Sequence, residues 1–190
     1  TEIYFLTAIL SVAIVVAIYV FVGNSGVLSF GQLSFVAVGS FIDEIAHARS
    51  YLGNLNWDHM MADVAAAQGD LKGTGPLGVV GFCMGGTAAF LAACRIPGFS
   101  AAVSFYGGMI GKFADEKPKC PMQMHFGEKD DGIPMDVVAS IKKKQPQAEI
   151  YTYPDAPHGF YCDERASYRK EAGDLAWKRT QEFLSKHMKK

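Results

Sequence analysis

Residues 78–94, G-V-V-G-F-C-M-G-G-T-A-A-F-L-A-A-C, constrain the fold more than any other part of this 190-residue chain. Gly78–Phe82 is a short apolar run of the kind that forms a buried strand, and residues 87–94 are the apolar body of a helix. A strand that becomes a helix within one residue holds that residue in a strained backbone conformation and accepts only small neighbours. Cys83 therefore occupies the serine position of a G-x-S-x-G nucleophile elbow. Such a turn lifts the side chain to the carboxyl end of the sheet, and the helix N-terminus favours thiolate over thiol. The plainer alternative, an unreactive buried cysteine in a glycine-rich turn, leaves the coincidence of strand, glycines and helix without a cause.

The pattern around the elbow repeats. Residues 101–106, 122–126 and 149–153 are further apolar runs bounded by Gly and Pro, whereas residues 58–71, 134–144 and 165–187 have helical patterns. Strands alternating with helices predict an α/β protein with a mainly parallel sheet. In residues 58–71, Met61, Val64, Ala65 and Leu71 are able to share an apolar face. In the last helix Tyr168, Ala172, Leu175, Ala176, Phe183 and Leu184 recur at helical spacing and should cover the sheet.

A cysteine nucleophile needs a base and an acid that orients the base, and in an elbow fold they follow in the order nucleophile, Asp or Glu, His. The run at 122–126 ends in G-E-K-D-D-G-I-P, residues 127–134, and the run at 149–153 ends in P-D-A-P-H-G-F, residues 154–160. Each group thus follows a strand end on the face where Cys83 is presented. His158 is the expected base; as its acid, Asp130 and Asp131 are adjacent and pattern alone does not separate them, and Asp155 is also possible but lies only three residues before the base. His47, His59, His125 and His187 precede the elbow or lie within a strand or helix, and are read as structural or exposed. The backbone N–H of Met84 is the expected oxyanion donor.

Charge divides the chain. Of 18 Lys and Arg and 19 Asp and Glu, only Glu2 precedes Asp43. Residues 3–22 contain no charge, Gly or Pro, and twenty such residues suffice to cross a bilayer core of roughly 30 Å. Residues 23–41 continue uncharged and glycine-punctuated, like a re-entrant or second membrane segment. Residues 1–42 are accordingly expected to form a separate apolar segment with a helix at 3–22 in contact with a membrane, or else a helix packed on the sheet. A net charge of −1 gives no reason to expect a nucleic-acid partner. Cys83, Cys94, Cys120 and Cys162 include no C-x-x-C pair, so neither a zinc site nor a disulfide framework is expected, and a reducing, cytoplasmic setting is.

Two resemblances follow from these residues. Gly81-Phe82-Cys83-Met84-Gly85-Gly86, Phe105-Tyr106-Gly107-Gly108, His125-Phe126-Gly127 with Asp130 and Pro134, and His158-Gly159-Phe160 with Arg165 and Tyr168 resemble the dienelactone hydrolase family (carboxymethylenebutenolidases). The likeness runs from about residue 43 to the C-terminus, implies an α/β-hydrolase fold, and selects Asp130 as the acid. It implies hydrolysis of a small ester or enol-lactone through an acyl-enzyme on Cys83, without metal or cofactor. It also marks departures: the family's strands before the elbow, its second oxyanion donor and its upstream glutamate have no counterpart here, which would leave the elbow strand as an apolar edge unless residues 3–41 or a second chain cover it. Arg49 and Arg165 are weak candidates to pair with a substrate carboxylate.

Separately, Gly23-Asn24-Ser25-Gly26-Val27-Leu28-Ser29-Phe30-Gly31-Gln32, with Phe35 and Gly39-Ser40-Phe41, resembles the early membrane segments of branched-chain amino-acid ABC-transporter permeases. Three expectations compete: a hydrolase, free or membrane-tethered; an inactive chimeric product joining a permease start to a hydrolase end; and a permease-related membrane component, which needs more spanning segments than the sequence has.

Overall fold

Parallel strands require a crossover between each pair, and in residues 78–153 every apolar run but the last is followed by a helix that supplies one. The computed structural model describes residues 27–29 and 55–189. Its sheet is wholly parallel, with β1 (Val27–Ser29), β2 (Gly78–Phe82), β3 (Ala101–Phe105), β4 (Met122–Gly127) and β5 (Glu149–Tyr153) in that spatial order. Helix α1 (Trp57–Asp70) precedes β2, and α2 (Met84–Arg95), the short α3 (Ile110–Phe113) and α4 (Met135–Lys144) connect β2 to β5. Helix α5 (Lys170–His187) closes the described chain.

Successive contacts of α1 with α2, α2 with α3 and α3 with α4 make one helical layer. Helix α5 covers the opposite face, where Leu184 and Met188 lie over Gly78. Burial on both faces explains why β2 and β3 read as continuous apolar runs instead of alternating ones. The strands expected from sequence agree with those observed to within one residue. Strand β1 lies in the uncharged N-terminal region and pairs with β2 at three positions, Val27 with Gly78, Leu28 with Val79 and Ser29 with Val80. The elbow strand is therefore covered over those positions by its own chain, one of the ways expected. Residues 3–22 and the rest of the permease-like stretch lie outside the described residues. Among the described helices, none is long and apolar enough to cross a membrane.

Three sequence expectations need correction. The last helix starts at Lys170, not at residue 165, because the Arg169 N–H is held by the Phe160 carbonyl at 2.9 Å and Arg169 is extended there. Its buried stripe is Gly173, Ala176, Thr180 and Phe183, while Leu175 stands 43% exposed one helical step off that line. In α1, Met61 and Val64 are buried but Ala65 is exposed, because α2 receives a narrower stripe than the sequence suggested.

Between α5 and the sheet, one rung of the β register carries an aromatic ladder. Phe82, Phe105, His125 and Tyr151 occupy paired positions on β2 to β5, with successive ring centroids 4.7, 4.5 and 5.8 Å apart. Arg179 of α5 caps the far end, 4.2 Å from the Tyr151 ring. His125 is wholly buried. Its Nδ1 meets the Tyr153 hydroxyl at 2.8 Å, and its Nε2 meets the side-chain amide oxygen Oε1 of Gln123 at 2.9 Å and the Thr180 hydroxyl at 3.2 Å. Burial, with a smaller contribution from the Arg179 charge, pushes the imidazole down to about 3. These neutral partners give it no carboxylate to offset the loss of water.

This burial has a pH signature. An unfolded chain binds a proton at His125 near pH 6.5 and the folded chain only near 3, so this residue lowers stability as pH falls through that window. Urea unfolding followed between pH 7 and 5 should show stability falling by up to about 1.4 kcal/mol per pH unit from this one group. The slope should be smaller in His125→Gln, whatever that variant's absolute stability.

Candidate active site

The turn between β2 and α2 is built as the elbow pattern requires. Cys83 has φ 56° and ψ −119°, a conformation costing roughly 1–3 kcal/mol for a residue with a side chain. Its N–H donates to the Phe105 carbonyl at 3.0 Å, which ties the turn to β3. A Cβ on Gly81 would fall inside the carbonyl of Gly85, and one on Gly86 would lie 2.5 Å from the Phe105 carbonyl oxygen. The small residues are thus what let the helix start against two strands at once.

Asp130 and His158 arrive from the next strand ends. Asp130 follows β4, is 4% exposed, and accepts the Gly132 N–H at 2.9 Å on Oδ1. Its other oxygen, Oδ2, lies 2.7 Å from His158 Nδ1. His158 Nε2 in turn lies 3.1 Å from Cys83 Sγ. The loop carrying His158 approaches closely because Gly127, at the end of β4, has no side chain to strike the Ala156 carbonyl. Of the three possible acids, Asp130 is the one that meets the histidine; Asp131 and Asp155 are exposed.

Opposing effects set the protonation of this line. For Cys83, burial raises the thiol, but the His158 hydrogen bond and charge, the Met84 N–H and the Arg165 charge bring it below the ordinary cysteine range. For His158, burial disfavours the cation, yet hydrogen bonds to Asp130 and Cys83 raise it to about 9. The pair is therefore poised toward thiolate and imidazolium. Two other thiols differ: burial pushes Cys94 up to about 12 and Cys120 up to about 11. None of the four cysteines is bonded to another.

Of the remaining candidates, Met84, the expected oxyanion donor, follows Cys83 directly, and its backbone N–H favours the thiolate. His59 is exposed, His125 is buried in the aromatic ladder, and His187 packs on Phe183 with ring centroids 4.7 Å apart. Arg165 is exposed and its charge reaches Cys83. Arg49 and His47 lie outside the described residues, and among the described residues no group of three or more His, Cys, Asp or Glu could hold a metal. Tyr106 received no role from the sequence beyond its place in F-Y-G-G, yet its ring stands 5.1 Å from His158. The available signal is its position as the last residue of the apolar run 101–106, which the structure places just past the end of β3.

Residues 43–188 match the model of the dienelactone hydrolase family. A Methylorubrum extorquens protein with the provisional name carboxymethylenebutenolidase is 33% identical over 147 residues, covering 67% of this chain and 50% of that protein. A Synechocystis protein of the same provisional name is 34% identical over 127 residues, covering 60% and 51%. This chain spans about half the length of the curated relatives it matches. The crystal structure of a provisionally named dienelactone hydrolase from Klebsiella pneumoniae superposes with a TM-score of 0.68 at 27% identity, covering 77% of this chain and 69% of the other. A dienelactone hydrolase-like promiscuous phosphotriesterase from metagenomic libraries shares the fold, with a TM-score of 0.62 at 18% identity over 76% and 67% of the two chains. With a single family model matching it from residue 43 to residue 188, around an α/β-hydrolase sheet, the chain belongs to the dienelactone hydrolase family.

Proposed function

We propose that this chain hydrolyses a small ester or enol-lactone through an acyl-enzyme on Cys83. The observation that carries the reading is the continuous line from Asp130 Oδ2 through His158 to Cys83 Sγ, with contacts of 2.7 and 3.1 Å. Family membership supports the reaction class, and the names of the relatives support an enol-lactone of the carboxymethylenebutenolide type.

In this mechanism the Cys83 thiolate attacks the substrate carbonyl carbon, and the carbonyl electron pair moves to an oxygen that accepts the Met84 N–H. Collapse of the tetrahedral intermediate breaks the carbon–oxygen bond of the ester, and His158 Nε2–H gives its proton to the departing alkoxide or enolate. An enolate leaves more readily than an alkoxide, so an enol-lactone suits a thiolate nucleophile. Water then attacks the thioester while His158 takes a proton from it. The carbon–sulfur bond breaks, the acid leaves, and Cys83 returns to its thiolate. Asp130 holds the imidazole in the tautomer that faces the sulfur and stabilises its cationic form.

Two experiments test this. Iodoacetamide alkylation of Cys83 should show an inflection below that of an ordinary cysteine; in His158→Ala it should move upward, slowing the reaction at pH 7 by roughly tenfold or more, since the Met84 N–H and the Arg165 charge are then left to oppose burial without the larger contribution of His158. An unchanged profile would detach His158 from the nucleophile. With 4-nitrophenyl acetate or an enol-lactone as substrate, Asp130→Asn should lose roughly 100-fold or more in kcat and Asp131→Asn less than about twofold. Equal losses in the two variants, or turnover by Cys83→Ala at the unaltered rate, would refute the assignment.

A further inference from the structure

Each of the four strands β2 to β5 sends one residue or loop to the same edge, and three of these contributions, Cys83, Asp130 and His158, make the hydrogen-bonded line. The fourth is Tyr106, directly after β3. Phe105 pairs with Phe82 in the sheet register, so Tyr106 lies across from Cys83. Its backbone is held on both sides. The Tyr106 N–H donates to the His125 carbonyl at 2.8 Å, and the chain beyond it is pressed onto the start of α2, where the Met109 N–H donates to the Thr87 hydroxyl at 3.1 Å. Tyr106 itself takes φ 40°, a left-handed value that a bulky side chain adopts only when its surroundings impose it.

That backbone directs a ring with 1% of its surface exposed against the imidazole of His158. The two rings meet edge to face, with centroids 5.1 Å apart and planes at 62°. On another side the Tyr106 ring meets Phe160, two residues beyond His158, at 5.4 Å and 71°. His158 needs such a contact. Its two hydrogen bonds lie at Nδ1 and Nε2, on the ring's edge, so neither meets a face of the imidazole, and a packed neighbour is what opposes the side-chain rotations that would break them. We propose that Tyr106 is a positioning residue, whose ring is the wall that holds the His158 imidazole in the plane joining Asp130 to Cys83. Burial pushes the Tyr106 hydroxyl up, so it remains neutral and places no second anion beside the thiolate.

The inference rests on the reading of His158 as the base, and the test separates the two. Alkylation of Cys83 and hydrolysis of 4-nitrophenyl acetate are followed against pH in the full chain and in Tyr106→Phe, Tyr106→Ala, Tyr106→Leu and His158→Ala. Tyr106→Phe, which keeps the ring, should stay within about twofold of the parent in both assays. Tyr106→Ala should lower kcat by roughly tenfold with KM within about twofold, and should move the alkylation inflection upward, toward that of His158→Ala. Tyr106→Leu, which retains bulk if the alanine variant fails to fold, should move it the same way by less. An alkylation profile unmoved in Tyr106→Leu or in a folded Tyr106→Ala, while His158→Ala moves it, would overturn the positioning role alone. So would a loss in Tyr106→Phe as large as in Tyr106→Ala, since the hydroxyl would then be the acting group. A profile unmoved by His158→Ala would overturn the base and, with it, this inference.

Discussion

The backbone turn at Cys83, from strand to helix within one residue at φ 56° and ψ −119°, is the constraint on which the reactive edge of this protein depends. The strained conformation persists because the surrounding structure over-determines it. The Phe105 carbonyl holds the Cys83 N–H, Gly81 gives way to the Gly85 carbonyl, and α2 is buried along residues 85–94 by two strands. Helix α2 meets those strands closely because much of its sequence is Gly and Ala. The same compactness places Cys83 one strand away from Tyr106 and within reach of the loops after β4 and β5.

The two histidines of the β4 and β5 region illustrate how partners outweigh burial. Both lose water, and that loss alone disfavours the cation in each. His125 is surrounded by a tyrosine hydroxyl, an amide and a threonine hydroxyl, which satisfy a neutral ring, and it is pushed down to about 3. His158 has a carboxylate on one nitrogen and a thiol on the other, and it is pushed up to about 9. The partners on the ring nitrogens, more than depth, send the two rings in opposite directions. The structural ring still serves the reactive edge, because the His125 carbonyl holds the amide of Tyr106.

Much of this was legible in the chain because the strongest signals are local. Strands β2 to β5 were found to within one residue, since each is an apolar run closed by Gly or Pro, or by the elbow turn itself. The helical spacing from residue 165 onward predicts a start of α5 five residues early, because a non-local bond from Arg169 to Phe160 holds those residues to the His158 loop. Ala65 and Leu175 fit apolar stripes on a helical wheel and are exposed, because the width of a buried stripe depends on the partner surface. The aromatic ladder is a property of register. No single strand reveals that Phe82, Phe105, His125 and Tyr151 share a rung.

By itself the sequence determined the elbow, the alternation of strand and helix, and the identity of Cys83 and His158 as candidates, since these follow from residue type and short-range order. It left the adjacent Asp130 and Asp131 chemically equivalent until a family likeness separated them, and it left Tyr106 as one letter in a motif. Tertiary structure decided that Asp130 faces His158 while its neighbour faces solvent, that β1 covers part of β2, and that the Tyr106 ring stands against the imidazole. Each of these is a distance between residues from different strands. Such distances are set by sheet register and by the close approaches that glycine permits, and both arise only once the strands have paired.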